Sequence, residues 1–167
     1  GHLVKSGFQV VAFNRTYTKS IDWLDKYSNA EIVISLDDAI GSADVIISCV
    51  GNDDDLNQLA FSESGILNNA KENTLWIDHT TSSATVAKKI NSSLKVKSID
   101  FFDAPVSGGE TGAVYGKLTI MLGGEKARVP EVINIIQSYS LKITHVGASG
   151  SSQLTKMVNQ ICLAGVL

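Results

Sequence analysis

The 167-residue sequence contains few charged residues and no extended run of Lys or Arg. Only 19% of its residues are Asp, Glu, Lys or Arg, whereas a typical soluble domain has about 25%. The 14 basic and 17 acidic residues give a net charge of −3. This composition, with 44% hydrophobic residues, excludes a disordered chain or a coiled coil. The absence of a basic cluster argues against nucleic-acid binding.

Long apolar runs and cysteine pairs are also absent. No apolar stretch reaches the roughly 18 residues of a membrane-spanning helix. The chain opens on Gly1-His2-Leu3 without the features of a secretory signal. Cys49 and Cys162 lie far apart in apolar runs with no CxxC motif, so we expect two buried free thiols in a reducing compartment. We therefore expect a cytoplasmic protein that binds no membrane.

Short apolar runs alternate with helix-like segments. The apolar runs predict strands at Phe8–Phe13, Glu31–Ser35, Val45–Val50, Thr74–Asp78, Ser98–Asp103, Lys117–Leu122 and Ile143–Val146. The segments between them predict helices at Lys19–Tyr27, Asp37–Ser42, Asp54–Ala60, Asn68–Ala70, Ser83–Asn91 and Glu125–Ser138, and from Ser151 onwards. We expect Asp37 to cap the second of these helices, and Ser82 or Ser83 to cap the fifth.

This alternation predicts an α/β fold with an open, mostly parallel, doubly wound sheet and right-handed crossovers. The segment Val45–Val50 is apolar almost throughout, as in parallel strands covered on both faces. In such sheets the ligand lies beyond the carboxyl ends of the strands. Those ends carry polar and small residues here, in the segments Asn14-Arg15-Thr16, Val50-Gly51-Asn52, Asp78-His79-Thr80-Thr81 and Ala104–Gly109.

The segment that follows the first predicted strand is the first candidate site. In dinucleotide folds, an Asp or Glu at the end of the second strand accepts a hydrogen bond from the 2′-hydroxyl of NAD. Here that position holds Asn14, followed by Arg15 and Thr16. The segment has no carboxylate to repel a 2′-phosphate, and Arg15 can pair with one, which favours NADP over NAD. The alternative is an ordinary strand-to-helix turn with Thr16 as N-cap.

The glycine-rich segment Val106–Gly116 is the second candidate site. It lacks the G-x-G-x-x-G register, and we expect a strand rather than a helix to follow it, so it does not predict a pyrophosphate loop. The Ser107 hydroxyl and the backbone N–H groups of Gly108 and Gly109 could instead bind a small anion. The alternative is a long surface turn.

The last segment, Gly147–Gln160, predicts a helix that carries a lysine among apolar residues. Lys156 and Asn159 lie on one face of this helix. The apolar residues around them are Leu154, Met157, Val158 and Ile161. Because apolar surroundings disfavour the charged form of a lysine, proton transfer by Lys156 near neutral pH is feasible. The alternative is a lysine that extends to solvent from a helix packed on a neighbour.

Taken together, four segments resemble the β-hydroxyacid dehydrogenase family, which includes 3-hydroxyisobutyrate dehydrogenases, tartronate semialdehyde reductases and, more distantly, 6-phosphogluconate dehydrogenases. The segments are Asn14-Arg15-Thr16, Asp103–Gly109, Gly116–Gly124 and Gly147–Gln160, in the family's order and spacing. The resemblance implies a Rossmann-like NAD(P)-binding domain at residues 1–150 and the start of an interdomain helix at 151–167. The family's first strand and its all-helical C-terminal domain are lacking. We therefore expect a fragment that is poorly folded and inactive when made alone.

The resemblance also implies hydride transfer between a nicotinamide cofactor and a short 3-hydroxy acid or its semialdehyde. By similarity, Lys156 is the general acid and base, and Asn159 supports the substrate beside it. Ser107, Gly108 and Gly109 match the stretch that takes the substrate carboxylate. Gln160 departs from the family, where a second Asn is frequent at this position.

The cofactor positions follow from the same resemblance. Val50 and Gly51 match residues that flank the cofactor, and Thr81 matches the polar residue near the nicotinamide ribose. With Asn14-Arg15-Thr16 at the adenosine end, NADP is the expected cofactor and NAD the alternative. We expect no metal site, and we expect a homo-oligomer for the complete protein.

Two other functions compete with this hypothesis. A non-catalytic module for cofactor binding or oligomerisation would not need Lys156 and Asn159, whose presence disfavours it. A sugar-phosphate dehydrogenase would need a basic cluster for the phosphate, and none is present. His79 is expected to be a turn residue only, and Asp53-Asp54-Asp55 to be carboxylates at a helix N-terminus.

Overall fold

The structure is a computed structural model that describes residues 1–27 and 29–166. The helices are α1 (His2–Lys5), α2 (Tyr17–Leu24), α3 (Leu36–Ser42), α4 (Asp53–Phe61), α5 (Ile66–Asn69), α6 (Ala84–Lys95), α7 (Gly109–Val114), α8 (Val129–Ile136) and α9 (Ser151–Val166). The strands are β1 (Val11–Ala12), β2 (Glu31–Ile32), β3 (Val45–Ser48), β4 (Leu75–Asp78), β5 (Asp100–Asp103), β6 (Val106–Ser107), β7 (Leu118–Gly123) and β8 (Ser140–Gly147). Within these two ranges, no helix has both the length and the hydropathy needed to cross a membrane.

The main sheet is mixed but mostly parallel. Its strands follow the order β3-β4-β5-β7-β6, and β8 pairs with β7. The pairs β3–β4, β4–β5 and β7–β8 are parallel, whereas β7 runs antiparallel to β5 and β6. Strands β1 and β2 form a separate parallel pair. The predicted α/β fold with a mostly parallel sheet is confirmed.

The side chains of β4 alternate between two hydrophobic clusters on opposite faces of the sheet. Leu75 and Ile77 pack with Phe102 and helix α8, whereas Trp76 packs with Phe101 and helices α4 and α6. Because successive residues of a strand point to opposite faces, a strand covered on both faces is apolar almost throughout. Helices on both faces therefore give the doubly wound arrangement that the alternation predicted.

A groove of about 670 Å³ lies between β1 and β3, the two strands that the family's first strand is expected to bridge. Strand β1 pairs with β2, strand β3 pairs with β4, and the two sheets share no ladder among the described residues. Residues of β1, α3, β3 and α4 line the groove. It therefore extends to the carboxyl ends of β1 and β3, where the sequence predicts the nucleotide-binding residues.

Several local predictions are corrected. The N-cap of α3 is Ser35, whose hydroxyl accepts from Asp38 N–H at 3.3 Å, so Asp37 lies inside the first turn. The predicted helix Glu125–Ser138 is α-helical only over α8, between two 3₁₀ turns, because Pro130 fits only the first turn of an α-helix. The prediction that Ser83 caps α6 is confirmed by its 3.2 Å hydrogen bond from Val86 N–H.

Both cysteines are exposed, which corrects the prediction of two buried thiols. Cys49 follows β3 and lines the groove. Cys162 lies on the outward face of α9 beside Ile161, which is 69% exposed. An apolar sequence context buries a side chain only where a neighbouring element packs against it, and no described element covers these two positions.

Candidate cofactor groove and active site

Five of the predicted nucleotide-binding residues line the groove between β1 and β3. They are Asn14, Arg15 and Thr16 after β1, and Val50 and Gly51 after β3. The parallel direction of each strand brings its carboxyl end to the same edge of the fold. Thr81 does not line this groove; it is exposed in the loop that follows β4.

The turn after β1 is closed by Asn14. Its Oδ1 accepts a hydrogen bond from Thr16 N–H at 2.8 Å. Thr16 occupies the N-cap position of α2, but its side chain makes no capping hydrogen bond. Thr16 therefore caps by position alone, and the turn leaves the Arg15 side chain exposed at the rim of the groove.

A carboxylate from α4 contacts Arg15. Asp55 Oδ1 lies 2.9 Å from Arg15 Nη1, and Asp55 Oδ2 accepts from Gly51 N–H at 3.2 Å. The sequence placed Asp55 only at a helix N-terminus, and the segment Asn14-Arg15-Thr16 contains no acid. The fold therefore supplies, from 40 residues away, the carboxylate that the local sequence lacks.

The end of β4 holds a buried hydrogen-bond network. Asp78 Oδ1 accepts from Ser48 Oγ at 2.6 Å and from Thr80 Oγ1 at 2.8 Å. Thr80 Oγ1 also accepts from Val50 N–H at 3.0 Å. Burial raises the pKa of Asp78 to about 6, Asp103 adds to the rise, and the hydrogen bonds from Ser48 and Thr80 oppose it. This network fixes the ends of β3 and β4 relative to each other.

His79 is a buried link rather than a turn residue, which corrects the prediction. Its Nδ1 lies 2.7 Å from the Ala104 carbonyl, and its Nε2 lies 2.8 Å from the Tyr139 hydroxyl. A carbonyl oxygen can only accept, so Nδ1 carries the proton and Nε2 accepts from Tyr139. Burial lowers the pKa of His79, which favours this neutral form. The imidazole thus ties the end of β4 to the end of β5.

Helix α9 docks on the strand ends through polar side chains. Asp103 Oδ1 accepts from Gly150 N–H at 2.8 Å, and Asp103 Oδ2 accepts from the Ser152 hydroxyl. Gln153 donates from Nε2 to the Thr80 carbonyl at 2.8 Å and accepts at Oε1 from Ser82 N–H at 3.0 Å. No local pattern predicts these contacts, because the paired residues lie 47 to 73 positions apart.

Lys156 lies one helical turn beyond this docking point. Ser152, Gln153 and Lys156 are buried, whereas the apolar side chains of Leu154, Met157, Val158 and Ile161 are 48% to 69% exposed. The polar face of α9, with Lys156 on it, therefore packs inward. Ser152 and Gln153 precede Lys156 by four and three positions, the two spacings at which side chains are neighbours on a helix surface.

The Lys156 side chain is 7% exposed. Its amine makes no hydrogen bond or ion pair with another group in residues 1–27 and 29–166, and its nitrogen is not fully enclosed. Asn159 is half-buried, and its Nδ2 lies 3.5 Å from Gln160 Oε1. Lys156 is therefore a buried residue whose nitrogen is not fully enclosed and has no counter-ion in the described part of the chain.

The predicted Ser-Gly-Gly anion site lies on the bend between β6 and α7. Gly108 has φ +127° and Gly109 has φ +58°, and α7 begins directly after Gly108. The prediction that a strand follows the segment Val106–Gly116 is confirmed, because β7 begins at Leu118; within the segment, these two glycines turn the chain into the six-residue helix α7. Ser107 pairs with Thr119 of β7, and α9 also packs against β7. The bend and the lysine helix are therefore held by the same strand.

Comparison with known proteins agrees with this fold. A family profile described as the NAD binding domain of 6-phosphogluconate dehydrogenase matches residues 1–147. The chain is 45% identical over 167 residues to an oxidoreductase of Shewanella frigidimarina, covering all of this chain and 57% of that protein. It is 30% identical over 163 residues to the NAD-dependent L-serine dehydrogenase of Pseudomonas aeruginosa, covering 98% of this chain and 54% of that protein.

A solved structure gives the same result. The Mycobacterium tuberculosis 3-hydroxyisobutyrate dehydrogenase with L-serine superposes with a TM-score of 0.89 at 28% identity, covering 98% of this chain and 54% of that one. The chain thus spans little more than half the length of the relatives it matches. The predicted family resemblance is confirmed. The chain belongs to the family of the 6-phosphogluconate dehydrogenase NAD-binding domain.

Proposed function

We propose that the complete protein is an NADP(H)-dependent oxidoreductase that interconverts a short 3-hydroxy acid and its semialdehyde, with NAD(H) as the alternative cofactor. Residues 1–150 would bind the cofactor, and the helix from residue 151 onwards would carry the acid and base. One observation carries the proposal: Lys156 is almost entirely buried, yet its amine nitrogen is not fully enclosed and lacks a counter-ion among the described residues.

The residues of the groove fit a dinucleotide. Arg15 is a cation at the rim, and Asn14 and Thr16 add polar groups beside it, as the adenosine ribose and a 2′-phosphate require. Val50 and Gly51 would flank the cofactor, and Thr81 would lie near the nicotinamide ribose. When bound, the nicotinamide ring gives or takes the hydride. The protein would contribute binding, orientation and proton transfer.

Lys156 would transfer the proton that accompanies the hydride. When a carbonyl is reduced, its oxygen gains negative charge and needs a proton, which the ammonium would donate; in the oxidation direction the neutral amine would take the hydroxyl proton. Asn159, one turn away on α9, would hold the substrate oxygen or orient the amine. A substrate carboxylate bound by Ser107, Gly108 and Gly109 would supply the negative charge that the buried lysine lacks.

The predicted homo-oligomer and the predicted instability of the 167-residue chain on its own remain predictions. Tests therefore use the complete protein.

The test compares wild-type protein with Lys156→Ala, and uses Lys142→Ala as a control because Lys142 is an exposed residue of β8. NADPH and NADH oxidation is measured with a panel of short semialdehydes that carry a carboxylate. We expect Lys156→Ala to lower kcat by about a hundredfold to ten-thousandfold while nucleotide binding persists. Equal rates for wild type and Lys156→Ala would remove Lys156 from the reaction. Nucleotide binding without turnover of any substrate by wild type would favour the non-catalytic module instead.

A further inference from the structure

We propose that Asp55 is a nucleotide-specificity residue: its carboxylate competes with the 2′-phosphate of NADP for Arg15 and so weakens binding of NADP relative to NAD. The inference rests on the proposed function, since it concerns the same groove. It assigns a role to a residue of α4 that lies outside every segment of the family resemblance.

The Asp55 carboxylate contacts two hydrogen-bond donors. Asp55 Oδ1 lies 2.9 Å from Arg15 Nη1, and Asp55 Oδ2 accepts from Gly51 N–H at 3.2 Å. A guanidinium and a backbone N–H are the donors that a phosphate group uses in proteins. The carboxylate thus occupies both donors with an anion that belongs to the chain itself.

Of the two paired side chains, Arg15 is the one that can move. The Asp55 side chain is 23% exposed and the Arg15 side chain 72% exposed. Asp55 lies in the first turn of α4, where its N–H donates to the Asn52 side chain at 2.9 Å. Arg15 lies on a turn, and its side chain makes no other hydrogen bond or ion pair among the described residues. Asp55 is therefore fixed, and Arg15 must leave it to reach a bound phosphate.

NADP and NAD differ in the group at the 2′ position of the adenosine ribose. The 2′-phosphate of NADP is an anion that needs a cation, and Arg15 is already paired with a carboxylate, whereas the 2′-hydroxyl of NAD is uncharged and needs no cation. Lys19 also lines the groove and would attract the 2′-phosphate whether or not Asp55 carries its carboxylate. Asp55 therefore weakens the binding of NADP while leaving that of NAD nearly unchanged.

The experiment measures dissociation constants of NADP⁺ and NAD⁺ by titration calorimetry at fixed ionic strength, with the complete protein. Wild type is compared with Asp55→Asn, which keeps an oxygen acceptor for Gly51 N–H, and with Asp55→Ser as a second variant. Asp54→Asn is the control, because it removes the same charge from the neighbouring exposed position of α4. We expect the ratio of Kd for NAD⁺ to Kd for NADP⁺ to rise about fivefold in both Asp55 variants, and to stay constant in Asp54→Asn.

A double variant tests the mechanism. The double variant Asp55→Asn Arg15→Ala is compared with Arg15→Ala alone. If Asp55 acts by competing for Arg15, the ratio of Kd for NAD⁺ to Kd for NADP⁺ must be the same in these two proteins. An unchanged ratio in both folded Asp55 variants, or a rise that persists without Arg15, would overturn the inference and leave the proposed function standing. Binding of neither nucleotide by any of the proteins would instead overturn the proposed function and the inference with it.

Discussion

Gln153 on α9 donates a 2.8 Å hydrogen bond to the carbonyl of Thr80, 73 residues earlier in the chain. The other end of the same amide accepts from Ser82 N–H at 3.0 Å, and the side chain is completely buried. One amide therefore holds the loop that carries Thr81 against the helix that carries Lys156. These are the two residues proposed to meet the nicotinamide end of the cofactor and the substrate.

We expect Gln153→Ala to lower both stability and kcat. The substitution leaves Thr80 C=O and Ser82 N–H buried without partners, which costs about 1–3 kcal/mol for each group. It also releases the first turn of α9, so that Lys156 loses its position while nucleotide affinity changes less. Thermal unfolding and NADPH oxidation by the complete protein measure the two effects. The exposed Val158→Ala is the control on the same helix. Wild-type melting temperature and kcat in Gln153→Ala would contradict the assigned role.

The buried imidazole of His79 predicts a loss of stability in acid. Burial lowers its pKa below the ordinary 6.5, so the unfolded state binds more protons than the folded state as pH falls through 6.5. The stability is therefore complete above pH 6.5 and is lost below it, towards the folded-state pKa. His79→Gln keeps a donor for Ala104 and an acceptor for Tyr139 but does not titrate. Its melting temperature should fall less than that of wild type between pH 7 and pH 5; parallel curves would contradict this.

The buried carboxyl of Asp78 predicts a loss of stability as pH rises, the opposite of the pH dependence expected from His79. Burial raises its pKa from 3.8 to about 6, so the folded state keeps a proton that the unfolded state has lost. The folded state is therefore progressively destabilised as pH rises from 3.8 to 6, by about 3 kcal/mol in all. Relative to wild type, Asp78→Asn should become more stable as pH rises through this range. A loss of stability that does not depend on pH is added to this gain, because the amide NH₂ would replace an Oδ2 that is buried without a hydrogen-bond partner among the described residues. Denaturant unfolding at a series of pH values measures the difference, and a pH-independent difference would rule the effect out.

The strands and their ends could be predicted from the sequence because they depend on local patterns. The apolar run Val45–Val50 contains β3, and Thr74–Asp78 contains β4. The rule that ligands lie beyond the carboxyl ends of parallel strands then placed Asn14-Arg15-Thr16 and Val50-Gly51 at one groove. An apolar run and the polar residues that end it can both be recognised within a few residues of sequence.

The contacts across the site could not be predicted in the same way. Nothing in the local pattern pairs Arg15 with Asp55, or Gln153 with Thr80, because each pair forms only when the sheet brings distant loops together. The inward face of α9 could not be predicted for a related reason. Hydrophobicity alone would turn Leu154 and Val158 inward, but the strand ends offer carboxylate, carbonyl and N–H groups, so the polar face of the helix docks there.

The Ser-Gly-Gly bend predicts a difference between its two glycines. Gly108 has φ +127° and ψ −10°, a conformation that residues with a side chain rarely adopt, and an added Cβ would lie 3.4 Å from Gly112 and Leu118. Gly109 has φ +58°, in the left-handed helical region, and an added Cβ would meet nothing within 4 Å. We expect Gly109→Ala to lower the free energy of unfolding by about 1–2 kcal/mol. Gly108→Ala should lower it more, by up to about 3 kcal/mol, because the added Cβ also meets Gly112 and Leu118.

The same pair of variants tests the bend as the site of the substrate carboxylate. Distortion at Gly108 should shift both the Ser107 hydroxyl and the Gly109 N–H, so Gly108→Ala should raise KM for the carboxylate-bearing semialdehyde several times more than Gly109→Ala does. Neither substitution should change Kd for the nucleotide, because the groove between β1 and β3 contains neither residue. Steady-state kinetics with the complete protein and equilibrium nucleotide binding separate these effects. If Gly108→Ala folds and keeps the wild-type KM, the carboxylate must bind elsewhere.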